Sequence, residues 1–345
     1  MGDARSRTRR NVDLARLSDQ HRVMARIRAF EETALAAAEA GLVTGAIHPC
    51  IGQEAVAVGI CANLRRADYL FATHRGHGHT LAKGADPAAM MCELFGRAGG
   101  LCGGKGGSMH IADFGVGQLG ANGVVAANIT IAAGAAHAVK LRGEDRVVVC
   151  MFGDGAVNRG PFLEGLNWAR IFDLPVLFVC EDNGFAATTR TRTLTGGPGP
   201  TARAESLGIP AAEVDGNDVV AVDAASRDAL AALRAGAGPR FLLCRTYRLA
   251  GHTHADPGAY RSAEEVAAAR QDDPIARSRA WLVEAGADPE ELTAMERAAR
   301  DEMAAAHAAA EAAPWPDPAA AFADVQDLGA PTDPGVPTGP DGAAP

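Results

Sequence analysis

The strongest constraint on the fold comes from two short apolar segments separated by a helical pattern. Residues 146–152 have the sequence RVVVCMF and residues 175–180 the sequence PVLFVC. Runs of this kind, rich in β-branched residues, are typical of strands that are buried on both faces of a sheet. Between them Phe162, Leu166 and Ala169 recur at i, i+4 and i+7, which predicts a helix. A strand, a helix and a second strand in this order form a βαβ unit, which requires a parallel sheet.

The same alternation continues towards both ends of the chain. Residues 240–245 (RFLLCR) predict a third buried strand, and residues 224–235 predict a helix before it. Residues 12–40 predict an amphipathic helix, and Asp288 is expected to cap another helix that runs to about Ala313. We therefore expect an α/β fold: a doubly wound parallel sheet with helices on both faces and helical N- and C-terminal extensions.

The length of 345 residues and the hydrophobic content of 48% are sufficient for one large packed domain. We expect this domain to span residues 21–327, after an N-terminal arm of residues 1–20. Residues 328–345 contain five prolines and four glycines, so we expect them to form a disordered tail.

Composition and charge argue against several classes of protein. The net charge of -9, with no basic stripe to offset it, is unfavourable for binding nucleic acid. Seven cysteines without a CxxC pair indicate buried thiols in a reducing compartment, so we expect a cytoplasmic protein. The longest stretch without charge, residues 114–139, is too rich in Gly and Asn to span a membrane. It predicts instead a buried glycine-rich loop that leads into a helix.

Polar side chains follow both strands of the predicted βαβ unit. Asp154 stands in a Gly-Asp-Gly turn after the first strand, and Asn183 in an Asp-Asn-Gly turn after the second. Ligands of open α/β sheets bind at the carboxyl ends of the strands, and hard oxygen donors suit Mg²⁺. The glycines allow the backbone to approach a diphosphate. The pattern therefore predicts a magnesium diphosphate ligand; the alternative is that the two segments are ordinary turns.

With these segments in view, the chain resembles the alpha subunits of thiamine-diphosphate-dependent 2-oxo acid dehydrogenases, the family of the pyruvate, branched-chain and acetoin enzymes. The resemblance covers about residues 20–325. It is carried by GDGAVNRG and LPVLFVCEDNGFA, and by IGQEAVAVG (51–59), THRGHGHTLAKG (73–84), GGKGGSMHIAD (103–113), VDGNDVVAV (214–222) and YRLAGHTHADPGAYR (247–261).

The resemblance implies a set of cofactor-binding residues. The Mg²⁺ ligands would be Asp154, Asn183 and the main-chain carbonyl of Phe185, within a motif that also includes Gly155 and Ala156. His74 and Arg75 would contact the diphosphate, and the family commonly has Tyr at the position of His74. The main chain of Gly123 and Val125 would contact the aminopyrimidine ring.

Two histidines are implied at the reacting end of the cofactor. His252 would face the reactive carbon, and His48 would line the same pocket. Imidazole suits this place because it donates hydrogen bonds and exchanges protons near neutral pH. Residues 45–50 lack the aromatic residues that are common around this histidine in the family, so we expect a reshaped substrate pocket.

The resemblance also implies partners. One doubly wound domain accounts for the chain, whereas thiamine enzymes need a second module that presents a glutamate to the cofactor. A beta subunit would supply it in an α2β2 heterotetramer. The reaction would cleave a carbon–carbon bond of a 2-oxo acid, with decarboxylation, or of acetoin, and transfer the acyl unit to a lipoyl group on a partner acyltransferase. The segments GLCGGKGGSMHIAD (100–113) and THRGHGH (73–79) are closest to the acetoin type.

Several alternatives remain at this point. One is a transketolase-like or carboligating thiamine enzyme with an acceptor other than lipoyl, and another is a non-catalytic assembly subunit. The H-x-H and H-x-x-H spacings of residues 74–79 and 252–254 are also compatible with a zinc or iron hydrolase. Hydrogen bonding within loops is at least as strong an interpretation as catalysis for each of four histidines, namely His77, His79, His110 and His254.

Overall fold

A computed structural model of the chain describes residues 13–323, and its centre is a parallel sheet of six strands. The order across the sheet is β2-β1-β3-β4-β8-β7. The strands are β1 (Tyr69–Thr73), β2 (Gln118–Asn122), β3 (Val148–Gly153), β4 (Val176–Asp182), β7 (Ala211–Asp215) and β8 (Arg240–Arg245), and a small antiparallel hairpin consists of β5 (Phe185–Ala186) and β6 (Thr189–Arg190). The predicted α/β fold with a parallel sheet is confirmed.

Helices surround the sheet and extend beyond it. They are α1 (Leu14–Glu39), α2 (Glu54–Cys61), α3 (His77–Ala82), α4 (Pro87–Leu94), α5 (Ala127–Arg142), α6 (Gly160–Ile171), α7 (Pro200–Ser206), α8 (Val219–Arg234), α9 (Ala263–Arg270), α10 (Pro274–Glu284) and α11 (Pro289–Ala312). The helices predicted around residues 12–40, 162–169, 224–235 and 288–313 are therefore present. As predicted, the side chain of Asp288 accepts a hydrogen bond from the Glu290 N–H and caps α11.

Alternate residues of the central strands enter different cores, as the period of two in a strand requires. Cys150 and Phe178 face a cluster that includes Ile129 of α5 and Phe162 of α6. The residues next to them in the strands face a second apolar cluster, which the sheet forms with helices α2 and α8. The strand residues of this cluster include Val149, Met151, Leu177 and Val179. Apolar burial on both faces explains why the central strands have continuous apolar sequences.

A third core lies among the helical extensions. Met24 and Phe30 of α1 are fully buried in one cluster with Met91 of α4 and Met303 of α11. Asp13 caps α1 by accepting from the Arg16 N–H, and the helix begins at Leu14. Residues 14–20, which we expected to belong to the N-terminal arm, are therefore part of this helix. Residues 1–12 and the expected tail, residues 328–345, lie outside the described residues.

The charge-free stretch differs in part from its prediction. It leads into helix α5 as expected, but strand β2 runs through it, and Phe114 and Val124 are 75% and 66% exposed rather than buried. The period of hydrophobicity is weak here because β2 has the sequence QLGAN and forms an edge of the sheet. All seven cysteines are free thiols, and all but Cys102 are buried. Within residues 13–323, no helix has the length and apolar content to cross a membrane.

Candidate functional site

The carboxyl ends of β3 and β4 form the floor of the candidate site. The two strands pair in parallel, with Gly153 opposite Glu181, so the segments that follow them leave the same edge of the sheet. Asp154 begins a short 3₁₀ turn after β3, and Asn183 follows the last residue of β4. Both residues line one cavity of about 350 Å³.

All eleven residues that the sequence analysis assigns to the cofactor site line this same cavity. They come from the segment before α2, the β1–α3 turn, the β2–α5 loop, the two strand ends and the loop after β8: His48, His74, Arg75, Gly123, Val125, Asp154, Gly155, Ala156, Asn183, Phe185 and His252. The fold therefore brings together segments that are up to about 200 residues apart in the chain.

The Asp154 carboxyl is strongly affected by its surroundings. It is 3% exposed, and the hydroxyl of Thr191 donates a hydrogen bond of 2.6 Å to its Oδ2. Burial raises the pKa of Asp154 to about 7; the Thr191 hydroxyl opposes this rise and the nearby Asp182 carboxylate adds to it. A buried carboxyl whose charged form is disfavoured in this way is stabilised by a bound cation.

Asn183 is oriented by two neighbours. Its Oδ1 accepts from the Phe185 N–H at 3.0 Å, and its Nδ2 donates to Oε1 of Gln53 at 3.1 Å. Gln53 is 2% exposed and lines the cavity, although sequence reasoning did not single it out. The signal available for it was its place in the IGQE segment, next to residues that carry the family resemblance.

Two buried arginines lie on another side of the cavity. Arg75 donates to the carbonyl of Pro49 at 2.5 Å, and its Nη2 lies 3.3 Å from Nδ1 of His252. Arg248, which sequence reasoning also missed, is 1% exposed, and its Nη1 lies 3.4 Å from the same nitrogen. Burial lowers the pKa of Arg75 to about 10, with the Arg248 charge adding to the effect. Two guanidinium groups in one pocket favour an anionic ligand.

Three histidine rings meet beside these arginines. The ring centroids of His48 and His74 lie 4.7 Å apart, and those of His48 and His252 lie 4.9 Å apart. Burial lowers the pKa of His48 and His252 to about 4 and that of His74 to about 3, and the charge of Arg75 adds to each shift. The three rings are therefore neutral at physiological pH.

The three-histidine cluster does not favour a metal ion of its own. Its nitrogens lie within 4.8 Å of one another, a spacing close to that of a metal site. However, Arg75 and Arg248 are both within 3.4 Å of the His252 ring, and their positive charges oppose a cation there. A guanidinium has no acceptor, so Nδ1 of His252 accepts and the ring proton is on Nε2.

The remaining histidines of the HxH and HxxH patterns have hydrogen-bond partners outside this cluster. Nδ1 of His77 lies 3.0 Å from Glu31, and Nε2 of His79 lies 3.1 Å from Glu181. Nδ1 of His254 accepts from the Ile47 N–H at 3.2 Å. These contacts fit the interpretation of structural hydrogen bonding, which is within a loop only for His254. The expected loop location is wrong for His77 and His79, which lie in helix α3 and contact Glu31 of α1 and Glu181 of β4.

The backbone is unusually constrained around the cavity. A Cβ on Gly155 would lie 2.8 Å from the Cβ of Ala186, so the chain requires glycine there. Ala126 and Ala187, which line the cavity, have left-handed backbone conformations with φ of 73° and 53°. Non-glycine residues seldom adopt such conformations, and they cluster at functional sites.

Comparison with known proteins agrees with this geometry. Residues 22–319 match the family model described as dehydrogenase E1 component. The alpha subunit of acetoin:2,6-dichlorophenolindophenol oxidoreductase from Bacillus subtilis is 41% identical over 88% of this chain and 91% of its own. The pyruvate dehydrogenase E1 component subunit alpha of Rhizobium meliloti is 39% identical over 88% of each chain. The human somatic mitochondrial form of that subunit is 36% identical over 86% of this chain and 76% of its own.

The chain therefore belongs to the dehydrogenase E1 component family. The resemblance inferred from the sequence motifs is confirmed. Membership implies thiamine diphosphate as the cofactor.

Proposed function

We propose that this chain is the alpha subunit of a thiamine-diphosphate-dependent 2-oxo acid or acetoin dehydrogenase component. It would cleave a carbon–carbon bond next to a carbonyl, with loss of CO₂ from 2-oxo acids, and pass the acyl unit to a lipoyl group on a partner acyltransferase. The observation that carries the proposal is the convergence of eleven motif residues on one cavity. The family membership and the relatives named above support the same activity.

The charges of the cavity fit the cofactor and a magnesium ion. Asp154 and Asn183 offer oxygen donors of the kind that Mg²⁺ prefers, and Phe185 would add its main-chain carbonyl. The raised pKa of Asp154 supports a cation at this end. His74 and Arg75 would contact the diphosphate, and Gly123 and Val125 would offer main-chain groups to the aminopyrimidine, with Gly155 and Ala156 beside them.

The histidines are suited to the reacting end. Thiamine diphosphate supplies the nucleophilic carbon and the electron sink for cleaving a bond next to a carbonyl. The Nε2–H of His252 can donate to a carbonyl oxygen that gains negative charge, and neutral His48 can exchange a proton beside it. The charges of Arg75 and Arg248 would attract the carboxylate of a 2-oxo acid. Acetoin has no carboxylate, so the two arginine charges would act differently on acetoin and on a 2-oxo acid.

A partner is supported by the apolar surface beside the cavity. Val124 and Val125 are 66% and 48% exposed, and Ile131 of α5 and Leu163 of α6 are about half exposed. Several exposed apolar side chains on neighbouring segments are typical of subunit interfaces. We propose that a beta subunit covers this surface in an α2β2 heterotetramer and presents a glutamate to the cofactor. The free thiols suit a reducing compartment, and we propose the cytoplasm.

Calorimetry tests the proposal directly. Thiamine diphosphate with Mg²⁺ is titrated into the chain co-expressed with its beta subunit, and into the same complex carrying Asp154→Ala. We expect saturable, magnesium-dependent binding that the substitution abolishes, followed by turnover of acetoin or a 2-oxo acid. Asp228→Ala on helix α8 is the matched control, because it removes a carboxylate that does not line the cavity. Absence of binding to the intact wild-type complex would contradict the proposed function.

A further inference from the structure

A buried series of hydrogen bonds next to the cavity joins helix α1 to two segments that line it. The Glu31 carboxylate accepts from the Cys50 N–H at 3.0 Å and lies 3.0 Å from Nδ1 of His77. Nε2 of His77 lies 2.9 Å from Oγ of Ser108. Glu31 and His77 are fully buried and Ser108 is 6% exposed. We call these three residues the Glu31–His77–Ser108 chain.

The chemistry of the Glu31–His77–Ser108 chain assigns its protons. Burial acts to raise the pKa of Glu31, but the His77 imidazole and the Cys50 N–H outweigh it, so the pKa lies below its ordinary value. An ionised carboxylate only accepts, so Nδ1 of His77 carries a proton. The other ring nitrogen, Nε2, forms the hydrogen bond with the Ser108 hydroxyl.

The order of hydroxyl, imidazole and carboxylate is that of a hydrolase triad, but its position indicates another role. Met109 lines the cavity, whereas Glu31, His77 and Ser108 are not among its lining residues. The Ser108 hydroxyl therefore has no access to a substrate bound in that cavity. All three side chains act through the segments to which they are bonded.

The two ends of the Glu31–His77–Ser108 chain fix separate walls of the cavity. At one end Cys50 lies two residues after His48, which lines the cavity. At the other end Ser108 immediately precedes Met109. The loop before Ser108 is fixed in turn by the buried carboxylate of Glu93, which accepts from four main-chain N–H groups, those of Cys102, Gly104, Gly106 and Gly107.

We propose that the Glu31–His77–Ser108 chain is a positioning device for the proposed thiamine site. It fixes the main chain at Cys50 and at Ser108, so that His48 and Met109 keep a set spacing around the bound cofactor and substrate. This inference rests on the proposed function. Loss of the Ser108 hydroxyl frees the Met109 wall but leaves Asp154 and Arg75 in place, so turnover falls more than cofactor affinity.

The protein contains a second arrangement of the same kind, which provides a matched control. Oγ of Ser278 lies 2.8 Å from Nδ1 of His21, and Nε2 of His21 lies 3.3 Å from Glu296. Ser278 and His21 are both fully buried. They lie between α1, α10 and α11, and neither lines the cavity. Ser278→Ala therefore removes the same type of hydrogen bond from a buried site elsewhere in the fold.

The first test compares Ser108→Ala with Ser278→Ala in the complex with the beta subunit, using acetoin and pyruvate as substrates. We expect the kcat of Ser108→Ala to fall at least about tenfold, with cofactor Kd changed less than about threefold, because small displacements of reacting groups are costly. Ser278→Ala should keep kcat within about twofold of the wild type, on the same argument. Equal kcat in the two variants and the wild type would overturn the inference.

Hydrogen exchange separates this inference from the proposed function, because it needs no substrate. In the same complexes, amides of residues 99–110 should exchange at least about tenfold faster in Ser108→Ala than in the wild type, and at wild-type rates in Ser278→Ala. If the wild-type complex bound no thiamine diphosphate, the proposed function would be contradicted. Faster exchange in Ser108→Ala than in the wild type would still support the positioning of the loop. Unchanged exchange in Ser108→Ala would overturn the inference, whatever the activity.

Discussion

The guanidinium of Arg75 is bonded to both the ring and the main chain of His252. Its Nη2 lies 3.3 Å from Nδ1 and 3.3 Å from the carbonyl oxygen of His252, while its Nη1 donates to Pro49. One planar side chain thereby fixes the position of His252 and leaves the proton of its ring on Nε2. Arg75 has this role in addition to the contact with the diphosphate that we propose for it.

Arg75→Lys is expected to weaken the site although it keeps the positive charge. A single ammonium group cannot replace the planar set of donors that contacts Pro49 and His252. We expect thiamine diphosphate affinity to fall about tenfold, the effect of losing one hydrogen bond to a charged group. Calorimetry of the complex with Mg²⁺ measures it. Arg170→Lys on the exposed surface of α6 is the control, and equal affinities for the two variants would contradict the prediction.

The three-histidine cluster predicts how stability depends on pH. Histidines in the unfolded chain titrate near pH 6.5, whereas those of the cluster titrate at about 3 to 4 when folded. Between these values the unfolded state binds more protons, so the free energy of unfolding decreases as the pH falls from 6.5 towards 4. Above pH 6.5 the rings are mostly neutral in both states, so the cluster no longer makes the free energy of unfolding depend on pH.

His74→Gln is expected to reduce this dependence. The variant lacks one of the three groups whose pKa burial lowers, so its melting temperature should fall less steeply between pH 6.5 and 4.5. Thermal unfolding at a series of pH values measures both slopes. The range above pH 7 is an internal control, because the wild type and the variant should have parallel curves there. If the melting temperature of the variant fell as steeply as that of the wild type, His74 would not contribute to the pH dependence of stability.

The exposed apolar surface of α5 and α6 predicts a partner contact. Leu163→Glu places a charge in this surface, and we expect it to reduce the amount of beta subunit that co-purifies with the chain, because a buried unpaired charge is unfavourable. Val283→Glu is the control, since Val283 is 39% exposed on α10, away from the cavity. Size-exclusion chromatography of the co-expressed subunits measures the result. Equal assembly of both variants would place the interface elsewhere.

The central strands could be predicted from the sequence, but the edge strands could not. β3, β4 and β8 lie inside the sheet and are apolar on both faces, so their sequences stand out from their surroundings. β2 and β7 form the two edges and have the sequences QLGAN and AAEVD, in which polar residues are tolerated. β1 is internal but has only five residues, too few for a clear pattern.

Some residues of the site could likewise be predicted from the sequence and others could not. Asp154 and Asn183 could be located because the carboxyl ends of adjacent parallel strands meet at one edge. Gln53 and Arg248 lie in segments that carry the resemblance, but their contacts with Asn183 and His252 could not be predicted, since these contacts join segments whose proximity depends on the whole fold. The assignment of separate roles to neighbouring histidines also required the structure, which separates His77 and His79 from His74.

Gly155 provides the sharpest test of the cavity floor. A Cβ there would lie 2.8 Å from the Cβ of Ala186, and Ala186 belongs to the hairpin that follows Asn183. Gly155→Ala is therefore expected to displace the turn that carries Asp154. We expect it to lower the free energy of unfolding by about 1–3 kcal/mol, as for other overpacked sites, and to weaken binding of thiamine diphosphate with Mg²⁺.

Gly134→Ala is the matched control for this substitution. Gly134 lies in helix α5, and a Cβ there would meet no atom within 4 Å. Because alanine is the better helix former, the free energy of unfolding should rise by about 0.5–1 kcal/mol. Urea unfolding of the purified chain compares the two variants with the wild type. If Gly155→Ala were as stable as Gly134→Ala, the floor of the cavity would have room for a side chain, and its close packing against the β5–β6 hairpin could not be what positions Asp154.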